Sequence, residues 1–138
     1  MLVRRQSEAA VHEWHRLRSH ILMDAGELGS RHLSVCWLEV PPGTSEKLHS
    51  HEEAEQVYVA VAGTGTMSAA GDTEQLSAGD LALIPPATDH EIANSGETPF
   101  ALVSVQSPAV AIEELYERQL AGRAAGYDEY AEDDDERY

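Results

Sequence analysis

Gly43-Thr44-Ser45-Glu46-Lys47-Leu48-His49-Ser50-His51-Glu52-Glu53-Ala54-Glu55-Gln56-Val57-Tyr58-Val59-Ala60-Val61-Ala62-Gly63 is the stretch on which the reading of this chain turns. Val57–Ala62 is a short run rich in β-branched residues, closed by glycine, and it reads as a strand. His49 and His51 stand two residues apart. On a strand that spacing sets both imidazoles on one face, where they can grip one ion. Gln56 follows a short polar turn and opens the strand, and its side-chain carbonyl is an oxygen donor for a divalent cation.

A second segment further along, Gly79-Asp80-Leu81-Ala82-Leu83-Ile84-Pro85-Pro86-Ala87-Thr88-Asp89-His90-Glu91-Ile92-Ala93-Asn94, sets His90 behind a proline-rich turn at the start of another strand. Three imidazoles and one oxygen suit one divalent transition ion: Zn, Fe, Mn, Ni or Cu. One face of such an ion stays open for water or substrate in catalytic sites.

Around these segments the pattern is β. His20–Met23, His32–Val40, Val57–Ala62, Leu81–Pro85, His90–Ala93 and Phe100–Gln106 are short apolar runs. Gly, Pro, Asp and Ser clusters punctuate them. No strand–helix–strand rhythm is present, so the expected fold is all-β, an antiparallel barrel or sandwich. Residues 1–18 read as an N-terminal arm or short helix, with Ser7 as its cap in the helical reading. Residues 19–106 read as the barrel. Residues 107–122 read as a C-terminal helix, with Val110, Ile112, Leu115, Tyr116 and Leu120 on one face. Residues 123–138 read as an acidic, disordered tail.

The two segments resemble the paired signature motifs of the cupin superfamily. Gly43, His49, His51 and Gly63 match the first, with Gln56 in the glutamate place. Gly79, Pro85, His90 and Asn94 match the second, with Ala87 where glycine is usual. Fifteen residues separate Gly63 from Gly79, the short spacing of small bacterial cupins. The resemblance implies a jelly-roll barrel of 8–10 strands, one bound metal ion per chain, and a homodimer. Small cupins of this kind include dioxygenases, isomerases and cyclases, and also barrels that bind a ligand without turnover.

The family spacing also admits Glu55 as the oxygen ligand. Counting back from Gly63 and the alternation of the strand both favour Gln56. Three neutral imidazoles with Gln56 leave the charge of a divalent ion uncompensated. Such a site polarises a bound oxygen strongly and favours Lewis-acid chemistry over redox cycling. The metal-ligand set is therefore His49, His51, Gln56 and His90. The catalytic candidates beside it are Tyr58, which shares the face of Gln56, together with His32 and Glu55. Ala60, Leu83 and Ile92 are expected to point inward around the metal. Cys36 reads as a small buried residue or a pocket thiol. Trp14 and Trp37 read as packing or dimer-interface residues, and His12 and His15 as surface residues.

The formal charge is −16, with 25 acidic against nine basic side chains. Such a surface repels phosphates, so nucleic acid is not an expected partner. A single cysteine forbids an intrachain disulfide. No apolar run is long enough to span a bilayer, and a soluble, cytoplasmic protein without membrane contact is expected. The function expected is a metal-dependent enzyme on a small organic metabolite, of isomerase, cyclase or dioxygenase type. The alternative is a binding module for a sugar or metabolite.

Overall fold

The computed structural model describes residues 1–48 and 51–117. Ten strands form two antiparallel sheets. The six-stranded sheet runs in the order β1 (Ala10–Trp14), β2 (Leu17–Met23), β3 (Ser34–Val40), β10 (Phe100–Ser107), β5 (Glu55–Ala62), β8 (Leu81–Ile84). The four-stranded sheet runs β4 (Thr44–Leu48), β9 (His90–Asn94), β6 (Thr64–Ala69), β7 (Asp72–Ser77). This is the jelly-roll expected from the sequence. A helix, α1 (residues 112–117), follows β10. The expected 107–122 helix starts later than the sequence suggests: Ser107 still belongs to β10, and residues 108–111 lead into α1 without helical structure. Residues 118–122 and the acidic tail lie outside the described residues.

Period-two alternation builds the core. Leu17, Ile21, Leu38, Val40, Tyr58, Ala60, Met67, Ile92, Phe100 and Leu102 interleave between the sheets and are buried. Two glycines make close approach possible. A Cβ on Gly63, at φ 75°, stands 2.2 Å from the Pro99 carbonyl oxygen, and one on Gly65 stands 2.2 Å from the Phe100 ring. The β6–β7 turn is Ala70-Gly71, both with positive φ (52° and 85°), the primed geometry that matches strand twist.

Three expectations are corrected. Residues 7–18 form neither a helix nor a free arm: after a 3₁₀ turn at Gln6–Glu8, β1 and β2 make a hairpin around His15-Arg16. Pairing and the burial of Trp14, Leu17 and Ser19 outweigh the local helix cue. Leu83 points outward and is 53 % exposed. The pairing of Val57 with Leu83 and Gln56 with Ile84 turns Ala82 and Ile84 inward instead, and a one-residue change of phase inverts every face of a strand. His51 is not on a strand: β4 stops at Leu48, and His51 sits in the loop leading to β5.

The six-stranded sheet is inverted in polarity at one end. Inside, Ser34, Gln106 and Gln56 lie side by side, with Cys36, Ser104 and Tyr58 in the next inward row. Outside, Val35, Val105, Val57 and Leu83 form one row and Trp37, Val103, Val59 and Leu81 another. The polar side chains face the interior and the apolar ones face out.

Candidate metal centre and its cavity

The polar inner rows line a cavity of about 70 Å³ at this end of the barrel. Gln56, Tyr58, Ser104, Gln106 and His51 supply its polar wall, and Leu17, Leu38, Leu48 and Cys36 part of its apolar wall. Ile112, Leu115 and Tyr116 of α1 close it from above. Three contacts hold the helix there. Asp24, at the end of β2, accepts hydrogen bonds from the amides of Ile112 (2.7 Å) and Glu113 (3.1 Å). Ser34 Oγ accepts one from Val110 N (2.9 Å). His12 stacks on Tyr116 and approaches Glu113 at 3.3 Å.

Of the expected ligands, His49 lies outside the described residues. Gln56 is buried. Its amide nitrogen donates to Ser104 Oγ at 3.1 Å, and its carbonyl oxygen has no partner among the described residues. Glu55, the other oxygen candidate, is exposed on the opposite face. His90 enters from the facing sheet, 4 % exposed. Its Nδ1 lies 3.0 Å from the Thr88 carbonyl oxygen and its Nε2 lies 2.9 Å from the Tyr58 hydroxyl. A carbonyl only accepts, so Nδ1 carries the proton and Nε2 holds the lone pair that a metal needs. The His51 carbonyl accepts a 2.7 Å bond from Ala87 N, which ties the two histidine-bearing loops together.

Burial dominates the electrostatics. It pulls His90 down to about 4, with neighbouring His51 adding to the effect against the opposing pull of the Thr88 carbonyl. It also lowers His51. It pushes the Cys36 thiol and Tyr116 hydroxyl up to about 12 each and raises Tyr58, which the Ser104 hydroxyl beside it partly offsets. Every ionisable side chain found in the cavity wall is thus neutral at neutral pH, and no Asp, Glu, Lys or Arg lines it among the described residues.

These donors fit a divalent ion. Two are neutral imidazoles, one with Nε2 oriented by a carbonyl behind the ring, and the third is an amide oxygen that no described residue bonds. No cluster of three or more His, Cys, Asp or Glu occurs among the described residues, a set that excludes His49. His32 is corrected as a catalytic candidate: it is exposed ahead of β3 and does not line the cavity. Glu55 is likewise turned away from it. Tyr58 stays. Cys36 and Trp14 line the cavity, whereas Trp37 faces outward. Sequence reasoning passed over Ser104, Gln106 and Ser19, which line the cavity. The signal was present in Phe100–Ser107, where polar residues alternate with valines and the polar set is the buried one.

A jelly-roll barrel with His51 and Gln56 on the wall of one cavity, and His90 bonded to the Tyr58 hydroxyl of that wall, is the architecture of a small cupin-type protein. The cupin domain family, Cupin_2, matches residues 36–106, just over half of the chain, and the protein belongs to that family. An uncharacterized protein of Methanocaldococcus jannaschii is 33 % identical over 69 residues, 50 % of this chain and 55 % of that one. An oxalate-binding protein of Thermotoga maritima is 31 % identical over 68 residues, 49 % of this chain and 56 % of the relative. The chain thus spans about half the length of these relatives. Among solved structures, a predicted oxalate decarboxylase from Thermotoga maritima superposes with a TM-score of 0.69 at 22 % identity, over 78 % of this chain and 99 % of that one. A Cupin 2 conserved barrel domain protein from Salinispora arenicola gives 0.65 at 23 % identity, over 86 % and 98 %. No helix among the described residues is long and apolar enough to cross a membrane.

Proposed function

We propose that this cupin is a metal-dependent enzyme acting on a small, uncharged organic molecule. The observation that carries the reading is the cavity wall: hydrogen-bonding but neutral on one side, apolar on the other, with His51 and Gln56 at its edge. A divalent ion held by His49, His51, Gln56 and His90 would supply Lewis-acid polarisation of an oxygen atom of the bound molecule. The second amide hydrogen of Gln56 and the Tyr58 hydroxyl, once its His90 partner is engaged by the ion, are the donors open to that molecule's polar end, Ser104 being taken up by the Gln56 and Gln106 amides. Leu17, Leu38, Ile112 and Leu115 take its apolar end and exclude water. A dicarboxylate such as oxalate, the ligand named for the Thermotoga relative, meets no Lys or Arg among the described lining residues, so the proposed metal ion would be its one counter-charge there.

Binding without turnover is the second reading, and one observation favours it. Cys36, Tyr58 and Tyr116 are all held protonated, which leaves no base among them at neutral pH. Elemental analysis of untagged protein beside His51→Ala, followed by a turnover screen on neutral carbonyl, enol and phenolic compounds against oxalate, separates the readings. About one metal ion per chain, lost in His51→Ala, with turnover of a neutral compound supports the enzyme. Saturable binding with the compound recovered unchanged supports the binding module. Unchanged metal content in His51→Ala, or no uptake on reloading, rejects the metal site.

The partner proposed for the outer apolar rows is a second copy of the chain. Leu81 and Leu83 are 59 % and 53 % exposed beside half-buried Val57, Val59, Val103, Val105 and Trp37, a contiguous face of the kind that marks an interface. Sedimentation of the parent as a dimer, and of Leu83→Glu as a monomer with unchanged circular dichroism, is the expected result. A monomeric parent rejects it.

A further inference from the structure

The polar interior forms a directed set of hydrogen bonds. Ser34 Oγ donates to Gln106 Oε1 at 2.7 Å, and the amides of Gln106 and Gln56 both donate to Ser104 Oγ. Ser104 stands beside the Tyr58 hydroxyl, its register partner on β5. Both lone pairs of Ser104 are taken by amide donors, so its own proton is left to point toward Tyr58. Tyr58 is 1 % exposed and its hydroxyl reaches His90 Nε2 at 2.9 Å, with the two rings edge to face, centroids 5.5 Å apart.

A neutral imidazole has one acceptor nitrogen. In His90 that nitrogen is Nε2, because Nδ1 is committed to the Thr88 carbonyl. No carboxylate bonds either ring nitrogen of His90 among the described residues. One lone pair cannot serve a phenol and a metal ion together. We infer that the Tyr58 hydroxyl and a divalent metal ion compete for Nε2 of His90, so that Tyr58 sets how tightly the centre takes its metal. The inference rests on the metal-site reading above. It makes Tyr58 a positioning residue that restrains loading, and not a ligand or a support for one.

The direction of the effect is distinctive. If Tyr58 helped to hold the ion, or to orient a ligand in its bound form, its removal would weaken binding. As a competitor its removal tightens binding, by roughly two- to tenfold for one hydrogen bond no longer broken on loading.

The test is titration calorimetry of the full chain with Zn²⁺, and with Co²⁺ for its visible absorption, on the parent, Tyr58→Phe and His51→Ala. One equivalent bound in the parent, lost in His51→Ala and tighter in Tyr58→Phe, is the expected result. Equal or weaker affinity in Tyr58→Phe, with His51→Ala still abolishing the site, overturns the competition and leaves the metal-site reading standing. No site sensitive to His51→Ala in either protein overturns the metal-site reading and the inference with it. A measurement on the parent guards against a misfolded variant. The buried Tyr58 hydroxyl proton should give a protected resonance coupled to ¹⁵Nε2 of His90, and one equivalent of Zn²⁺ should abolish it. Persistence of that resonance at full occupancy overturns the inference.

Discussion

The amide of Ala87 donates a 2.7 Å hydrogen bond to the carbonyl of His51, from a residue held at φ 58°. This bond joins the loop carrying His51 to the loop carrying His90, and it requires a left-handed backbone at Ala87. Glycine is usual at this place in the motif, and a non-glycine residue there costs about 1–2 kcal/mol. Ala87→Gly removes that strain but makes the unfolded chain more flexible, which offsets about 0.4–1 kcal/mol. The expected net is a gain of about 0.5–1 kcal/mol in urea denaturation. A loss of stability would show that the alanine methyl makes contacts that outweigh its strain.

Asp24 holds the helix over the cavity by two bonds to backbone amides. Asp24→Ala should cost about 1–2 kcal/mol. Hydrogen exchange at Ile112 and Glu113 should quicken, and so should labelling of buried Cys36 by a thiol reagent. Unchanged Cys36 labelling beside faster exchange would mean that the helix is not the route into the cavity.

His90 gives the protein an acid weakness. Its folded value lies near 4, below the usual 6.5, so between these values the unfolded chain takes up a proton that the native state refuses. Stability contributed by this group is therefore present above pH 6.5 and lost as pH falls through the window. The loss between pH 7 and pH 5 is about 2 kcal/mol. Denaturation of metal-free parent and His90→Gln at both pH values should show the parent losing that much more than the variant. Equal losses would place the weakness elsewhere.

Asn94 ends the second motif but lies outside the metal chemistry. It is 1 % exposed, its amide donates to the Val40 and Thr98 carbonyls at 2.8 Å each, and its oxygen accepts from Gly96 N at 3.0 Å. Asn94→Ala strands those groups inside the turn and should cost roughly 3 kcal/mol. Metal stoichiometry in the folded fraction should stay at the parent's value. A loss of metal without a loss of stability would reverse this assignment.

The strands legible in the sequence were those whose alternation is apolar, and they belong mostly to the six-stranded sheet. β4 (Thr-Ser-Glu-Lys-Leu), β6 and β7 were passed over because small and polar residues fill them, and only pairing across the sheet makes them strands. Tyr58 and Gln56 were reachable because period two carries one to the face of the other. His32 was misplaced by the same rule, since the strand begins two residues later, at Ser34, and the rule has no force beyond its end. The Thr88 and Ala87 contacts that orient the histidine loops involve backbone atoms, which side-chain patterns do not encode.

The outward-facing valines and leucines have a further consequence, in the physics of colloids. The protein carries a formal charge of −16, so two copies repel at long range, while the oily sheet attracts only at contact. A particle with one short-range sticky face and a like-charged remainder stops growing once that face is used. In the proposed pair the sticky faces are spent on each other and the surface left outside is acidic, which ends assembly at two copies. Added salt shortens the repulsion and leaves the contact attraction nearly untouched, so pairing strengthens with ionic strength.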